Sequence, residues 1–251
     1  MKTDLSDRVA LVNGASRGIG EAIAHGLADC GAKVILTSRN LESVEAVRDA
    51  IVGNGGEAVA RSCHAGELAD IEALFAFIGD EFGRLDILIN NAGTNPYSGP
   101  AATLPPEAFE KTVDVNLKGP YYMMSHAVPL MIENDGGRIV NVASIAAINA
   151  LPGQAVYSAT KAGLVSLTKG FAKEYGRAGI RVNAICPGIV ETKLAGALVE
   201  DPSVQKWISR LPVSRVAQPA DMVGGVLFLV SDEAAYTTGT TLVMDGGATL
   251  G

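Results

Sequence analysis

Cysteine is scarce in this chain of 251 residues, and Cys30, Cys63 and Cys186 are odd in number, far apart and never in a CxxC pair. That excludes a disulfide framework or a thiolate zinc site. Histidine is equally thin: His25, His64 and His126 do not cluster and show no HExxH-like spacing, so no metal site is expected. Runs of Lys or Arg are missing, and 27 acidic residues outnumber 20 basic ones for a net charge of −7, whereas a nucleic-acid binder needs a basic face. Long hydrophobic segments are missing too. The longest apolar run, Met222 to Val230, falls far short of the roughly 20 residues that span a bilayer. Met1 to Asp7 is short and charged, unlike a signal peptide, and the final Thr-Leu-Gly matches no retention or peroxisomal address. The expectation is a cytoplasmic protein with neither nucleic acid nor membrane as partner.

Glycine is abundant, at 29 residues, against a usual share of about 7%. With 48% apolar and 19% charged residues, the composition is that of a folded globule with many tight turns or close backbone approaches. Short β-branched runs recur at Val9–Val12, Lys33–Thr37, Glu57–Ser62, Leu85–Ile89, Arg138–Val142, Arg181–Ile185 and Thr241–Met244. Helix-period segments lie between them: Gly20–Cys30, Leu41–Val52, Ile71–Phe82, Ala108–Val113 running on through Asn116–Ile132, Ala155–Arg177 and Ala220–Leu229. Strands that alternate with helices, and are apolar throughout, predict a parallel sheet covered on both faces. The fold expected is α/β: a single doubly wound domain over residues 1–251, with an insertion at about 189–212.

The first strand runs into Asn13-Gly14-Ala15-Ser16-Arg17-Gly18-Ile19-Gly20 and then into a helix. Backbone without Cβ atoms can approach a pyrophosphate closely, and the helix N-terminus offers free N–H groups and a positive dipole end. In a Rossmann unit a carboxylate about 20 residues on binds the ribose 2′-hydroxyl of NAD. Here the second strand ends Thr37-Ser38-Arg39-Asn40, with no carboxylate. Arg39, with Arg17 nearby, suits a 2′-phosphate, which favours NADP(H) and leaves NAD(H) as the alternative.

Tyr157 and Lys161 are four apart in a helical segment, hence on one face. A phenol with a pKa near 10 is a poor base at neutral pH, but an adjacent ammonium favours the phenolate and makes it a usable proton donor and acceptor. The Ser144 hydroxyl, beyond the strand Arg138–Val142, can polarise a substrate oxygen.

These residues appear in the order found in the compact branch of the short-chain dehydrogenase/reductase family. The chain resembles that family over essentially its full length. The signatures are the Gly14/Gly18/Gly20 loop, Asn90-Asn91-Ala92-Gly93, Asn116, Ser144 with Tyr157-Ser158-Ala159-Thr160-Lys161, and Pro187-Gly188. The resemblance implies that Tyr157 is the general acid/base, Ser144 holds the substrate oxygen, and Lys161 binds the nicotinamide ribose and lowers the Tyr157 pKa. It further implies that Asn116 interrupts a helix to seat a relay water, and that Asn90, Ala92 and Gly93 line the cofactor cleft, with Asn90 near the adenosine ribose. Val115 is implied beside the adenine, and Pro187, Gly188, Ile189 and Thr192 at the nicotinamide carboxamide. Asn13 replaces a common Thr. His64 stands where an Asp often meets the adenine amino group, so an imidazole is expected to stack or hydrogen-bond there.

The expected reaction is hydride transfer between NADP(H) and a small-molecule ketone or secondary alcohol. Cys63-His64-Ala65-Gly66 and Asn95-Pro96-Tyr97 are similar to a carbonyl-reductase subgroup acting on ketones and retinal-like substrates. Leu194, Leu198, Val199, Trp207, Ile208 and Leu211 are spaced like an amphipathic helical lid over an apolar pocket, with Tyr97, Ile145 and Leu151 completing its wall. The alternative is a 3-oxoacyl-[acyl-carrier-protein] reductase. The acidic turn Ile132-Glu133-Asn134-Asp135 disfavours it, because the carrier is itself acidic. A non-catalytic NADP-binding sensor would need the loop but not the Ser144/Tyr157/Lys161/Asn116 set. Small residues on the active-site helix, Gly163 and Gly170 among them, suit a close partner helix, and the resemblance implies a homotetramer.

Overall fold

Strands that are apolar on both faces need cover on both sides, and the computed structural model supplies it. It describes residues 3–250, with the side chains of residues 197 and 198 outside the description. The strands are β1 (Val9–Asn13), β2 (Lys33–Ser38), β3 (Glu57–Ser62), β4 (Ile87–Asn90), β5 (Gly137–Val142), β6 (Ile180–Pro187) and β7 (Thr241–Met244). They form one parallel sheet in the order β3-β2-β1-β4-β5-β6-β7. The helices are α1 (Gly18–Asp29), α2 (Leu41–Gly53), α3 (Leu68–Phe82), α4 (Pro106–Val113), α5 (Gly119–Glu133), α6 (Ala155–Tyr175), α7 (Gly196–Glu200), α8 (Pro202–Ile208) and α9 (Val223–Val230). This is the doubly wound Rossmann architecture expected from the alternating pattern.

The pleat sorts each strand between two core layers. Ala10 and Val12 of β1 face Ile23 and Leu27 of α1, Val44 and Val47 of α2, and Val226 and Leu229 of α9. Val9 and Leu11 face the other layer, built on Ile71 and Phe75 of α3, Met123 and Met131 of α5, and Phe171 of α6.

Several expected elements are displaced, each for a local reason. The fourth strand begins at Ile87 rather than Leu85 because Asp86 is committed elsewhere. Its carboxylate accepts from Val9 N (2.9 Å), Arg8 Nη1 (3.1 Å) and Arg84 Nη2 (2.7 Å), and the residue is 1% exposed. Asn116 does interrupt a helix: Asp114–Lys118 is a π-helical turn between α4 and α5. The expected lid helix over 189–212 is two short helices, α7 and α8, broken where Asp201 accepts from Ser203 N (2.7 Å) ahead of Pro202. Of its apolar residues, Ile208 is buried in the body while Trp207 stays 40% exposed, and the Leu198 side chain lies outside the described residues. Gly163 is likewise an internal packing site. A Cβ there would lie 2.9 Å from Leu117 Cδ1, whereas one at Gly170 would meet nothing within 4 Å.

Burial pushes the Asp86 carboxyl up, and hydrogen bonds from Arg84, Val9 N–H and Arg8 outweigh it, leaving the group below the usual carboxylate range. Asp86→Ala is expected to lower the unfolding free energy by about 2 kcal/mol at pH 7, measured by urea denaturation. The loss is moderate because the two arginines it would strand are each about one-third exposed. The native carboxyl binds protons less readily than the unfolded one, so this advantage is present above the unfolded pKa. The difference between wild type and variant should shrink as pH falls through the native value.

Candidate active site

The strand order reverses between β1 and β4, so the loops leaving their C-terminal ends diverge and open a crevice. A cleft of about 320 Å³ fills it. The first loop closes tightly: Gly14 has φ +79°, and a Cβ there would lie 2.7 Å from Ala92 Cα in the loop after β4. Asn91 Nδ2 donates to Gly14 O at 2.7 Å, locking the two loops together. Ser16, Arg17, Gly18 and Ile19 line the cleft at the start of α1, where unpaired N–H groups suit an anion. Gly20 does not line it. A Cβ there would sit 2.3 Å from Gly14 O, so its role is to let α1 close on the loop.

At the far end of β2, Ser38 and Arg39 face the same cleft, and neither Arg39 nor Arg17 has a carboxylate partner among the described residues. His64 and Val115 form the adjoining wall. His64 Nδ1 accepts from Gly66 N (3.1 Å), which leaves Nε2 to carry the proton of the neutral ring. The described lining residues include five cations (Arg17, Arg39, Lys111, Lys161 and Lys193) and no Asp or Glu. In a chain of net charge −7, that segregation fits a polyanionic dinucleotide.

The other end gathers the chemistry. Tyr157 and Lys161 project from the first turns of α6, and Ser144 follows β5 in extended backbone, its Oγ accepting from Ala146 N at 3.1 Å. Lys161 Nζ donates to Val142 O at 2.8 Å and lies 5.8 Å from the Tyr157 ring centre. Ala92, Gly93, Pro187, Gly188, Ile189 and Thr192 complete this part of the wall. Asn116 stands behind it with no exposed surface. Its Oδ1 accepts from Thr94 N (2.8 Å), and its Nδ2 donates to Thr94 O (2.8 Å) and Thr160 Oγ1 (3.3 Å). The amide thereby ties the loop after β4 to the residue next to Lys161.

Two of the expected wall residues turn their side chains elsewhere. The Asn90 side chain does not line the cleft: it is the last residue of β4, paired with Asn141, to whose Oδ1 it donates at 2.8 Å. Asn91, the next residue, takes the wall position. Tyr97 also stays out of the main cleft, its hydroxyl held by Pro100 O (3.0 Å) and Thr103 Oγ1 (2.8 Å), while Ile145 and Leu151 do line it. The sequence reading missed Lys111, Lys193 and Gln154, none of which carries a motif.

Burial raises the Tyr157 phenol, with hydrogen bonding to Ser144 opposing it and the Cys186 thiol adding to it. Lys161, expected to lower the phenol, does not outweigh its burial, and burial brings the lysine itself down to about 8, with Cys186 working the other way. The resting pair is therefore a neutral phenol beside an ammonium that gives up its proton easily.

The family model described as "Enoyl-(Acyl carrier protein) reductase" matches residues 14–249. The chain belongs to the short-chain dehydrogenase/reductase family. Dehydrogenase/reductase SDR family member 4 of Oryctolagus cuniculus is 38% identical over 245 residues, covering 97% of this chain and 94% of that protein. A 3-oxoacyl-[acyl-carrier-protein] reductase of Synechocystis sp. is 38% identical over 247 residues, covering 98% of each. The crystal structure of a gluconate 5-dehydrogenase from Burkholderia cenocepacia J2315, in complex with NADP and tartrate, matches with a TM-score of 0.95 at 33% identity, covering 100% of this chain and 98% of that one. The protein is an NAD(P)-dependent oxidoreductase.

A lysine whose native pKa lies below its unfolded value destabilises the fold at neutral pH and stops doing so as it deprotonates. In the absence of nucleotide, the stability of the wild type relative to Lys161→Met should rise between pH 8 and 10.5, the ordinary lysine value, by about 3 kcal/mol in total. Denaturant unfolding at a series of pH values measures it, and a flat difference contradicts the assignment.

Proposed function

We propose that this protein is an NADP(H)-dependent carbonyl reductase that interconverts a small-molecule ketone and its secondary alcohol. The observation that carries the reading is the cleft itself, with five cations and no carboxylate along it and Ser144, Tyr157 and Lys161 gathered at one end. Gly14, Ser16, Gly18 and Ile19 would hold the diphosphate against the N-terminus of α1, with Gly20 allowing the approach. Arg17, Ser38 and Arg39 would hold the 2′-phosphate, His64 and Val115 the adenine, Lys161 the nicotinamide ribose, and Pro187, Gly188, Ile189 and Thr192 the carboxamide. When bound, the nicotinamide supplies or takes up the hydride.

The neutral Tyr157 phenol donates its proton to the substrate oxygen during reduction and takes it back during oxidation. Ser144 donates a hydrogen bond to the same oxygen, stabilising the charge that develops there. Lys161, as the ammonium, eases phenolate formation and is reprotonated from solvent. Asn116 holds the path: its amide is spent on Thr94 and Thr160, so a relay water would rest on main-chain groups of the π turn. The 189–212 insertion contributes Lys193, Leu194 and Ala195 to the cleft rim and acts as its lid. The exposed Ala155, Ala159, Ala162 and Ser166 of α6 support a homotetramer.

The relative named as a 3-oxoacyl-[acyl-carrier-protein] reductase favours a second reading, in which the ketone is carrier-bound. Glu133 and Asp135 stand exposed at the end of α5, where an acidic carrier would be repelled. Parallel assays with a small diketone and an acetoacetyl thioester separate the two readings.

Tyr157→Phe is expected to lower kcat on a small ketone by about 10³-fold while leaving the NADPH Kd within a few-fold, since only the proton donor is removed. Substantial turnover by that variant contradicts the mechanism. Arg39→Ala should reduce the NADPH over NADH preference in kcat/KM by about 10- to 100-fold, in line with the loss of a charge-assisted contact. An unchanged ratio would show that Arg39 does not read the 2′-phosphate.

A further inference from the structure

Gln154 carries a primary amide that bonds no described residue. Its main chain is occupied: Gln154 N donates to Leu151 O (3.1 Å), and Gln154 O accepts from Ser158 N (2.8 Å) at the start of α6. Its side chain makes no hydrogen bond with any described residue, yet the residue is only 8% exposed. The residue lines the cleft with Tyr157, Ile145 and Leu151, and also a small neighbouring pocket with Tyr97 and Leu104. Neither its oxygen nor its nitrogen is sealed off from open space, so both are left to bond a molecule that enters.

Resting on the carbonyl-reductase reading above, we propose that Gln154 is a specificity residue that hydrogen-bonds a second oxygen on the substrate, borne by the carbon next to the reacting carbonyl. The substrate class is then the α-hydroxyketone or vicinal diketone, with the vicinal diol as its reduced counterpart. The placement follows from spacing. Gln154 is the N-cap of α6, with non-helical backbone (φ −130°, ψ 30°), three residues before Tyr157, and both residues line the cleft. The reacting oxygen is held by Tyr157 and Ser144, so the amide meets an oxygen close to it rather than the far end of a long chain. A site built to bond a substrate oxygen discriminates strongly against the analogue that lacks it, because the amide is then left unpaired.

The test compares NADPH-dependent kcat/KM for acetoin and diacetyl with that for butanone, in the wild type and in Gln154→Met. The wild type should prefer the two oxygenated ketones. Gln154→Met should lose roughly tenfold or more on both while staying within about twofold on butanone. Retained butanone reduction also reports that the variant is folded, and Gln154→Asn, which keeps the amide on a shorter chain, should recover part of the loss on acetoin. A wild type that shows no preference, or a Met variant whose losses are equal on all three ketones, overturns the role of Gln154 and leaves the carbonyl-reductase reading standing. A wild type that reduces none of the ketones, although NADPH fluorescence shows binding, overturns both.

Discussion

The contact between the loops after β1 and β4 governs the arrangement of this molecule. In a parallel sheet whose order reverses at that point, the two loops would part freely, and the crevice would have no fixed floor. Here Gly14 lies against Ala92 with no side chain between them, Asn91 bonds Gly14 O, and Gly20 admits the first turn of α1 from behind. A methyl group at either glycine would have to move backbone rather than a flexible side chain. The loop geometry, the direction of the α1 dipole and the distance to α6 are thereby set together.

From that floor, order passes to the reacting end through Asn116. The π turn carries its amide to where it can bond both polar groups of Thr94 and the hydroxyl of Thr160. Thr160 precedes Lys161, whose buried ammonium donates to Val142 O. Burying a lysine without a carboxylate is unfavourable in isolation. The fold keeps it so because an ammonium paired with an acid in this position would be screened from the phenol and from a sugar hydroxyl alike. Local destabilisation and chemical competence come from the same choice of neighbours.

Much of this was legible in the sequence. Strands buried on both faces must be continuously apolar, and the glycine loop, the Tyr157/Lys161 pair and Ser144 carry local spacing that does not depend on the rest of the chain. What escaped was set by non-local contacts. Whether Asn90 or Asn91 faces the cleft depends on where β4 ends and on Asn141 lying across from Asn90. Gly163 resembled an interface residue until Leu117 proved to occupy the space above it. Gln154 belongs to no pattern of its own, and its significance lies in bonds it does not make. The insertion was read as one helix because its apolar period runs through Pro202, where Asp201 starts a new one.

That insertion also holds the only tryptophan of the chain, Trp207, 40% exposed on α8. A lone indole on the segment bordering the cleft is a built-in optical label. Its emission overlaps the absorption of a reduced nicotinamide, so energy transfer from it reports the nucleotide's redox state and any change in their separation. Movement of the segment can thus be followed in the unmodified protein, with no dye attached and no residue replaced.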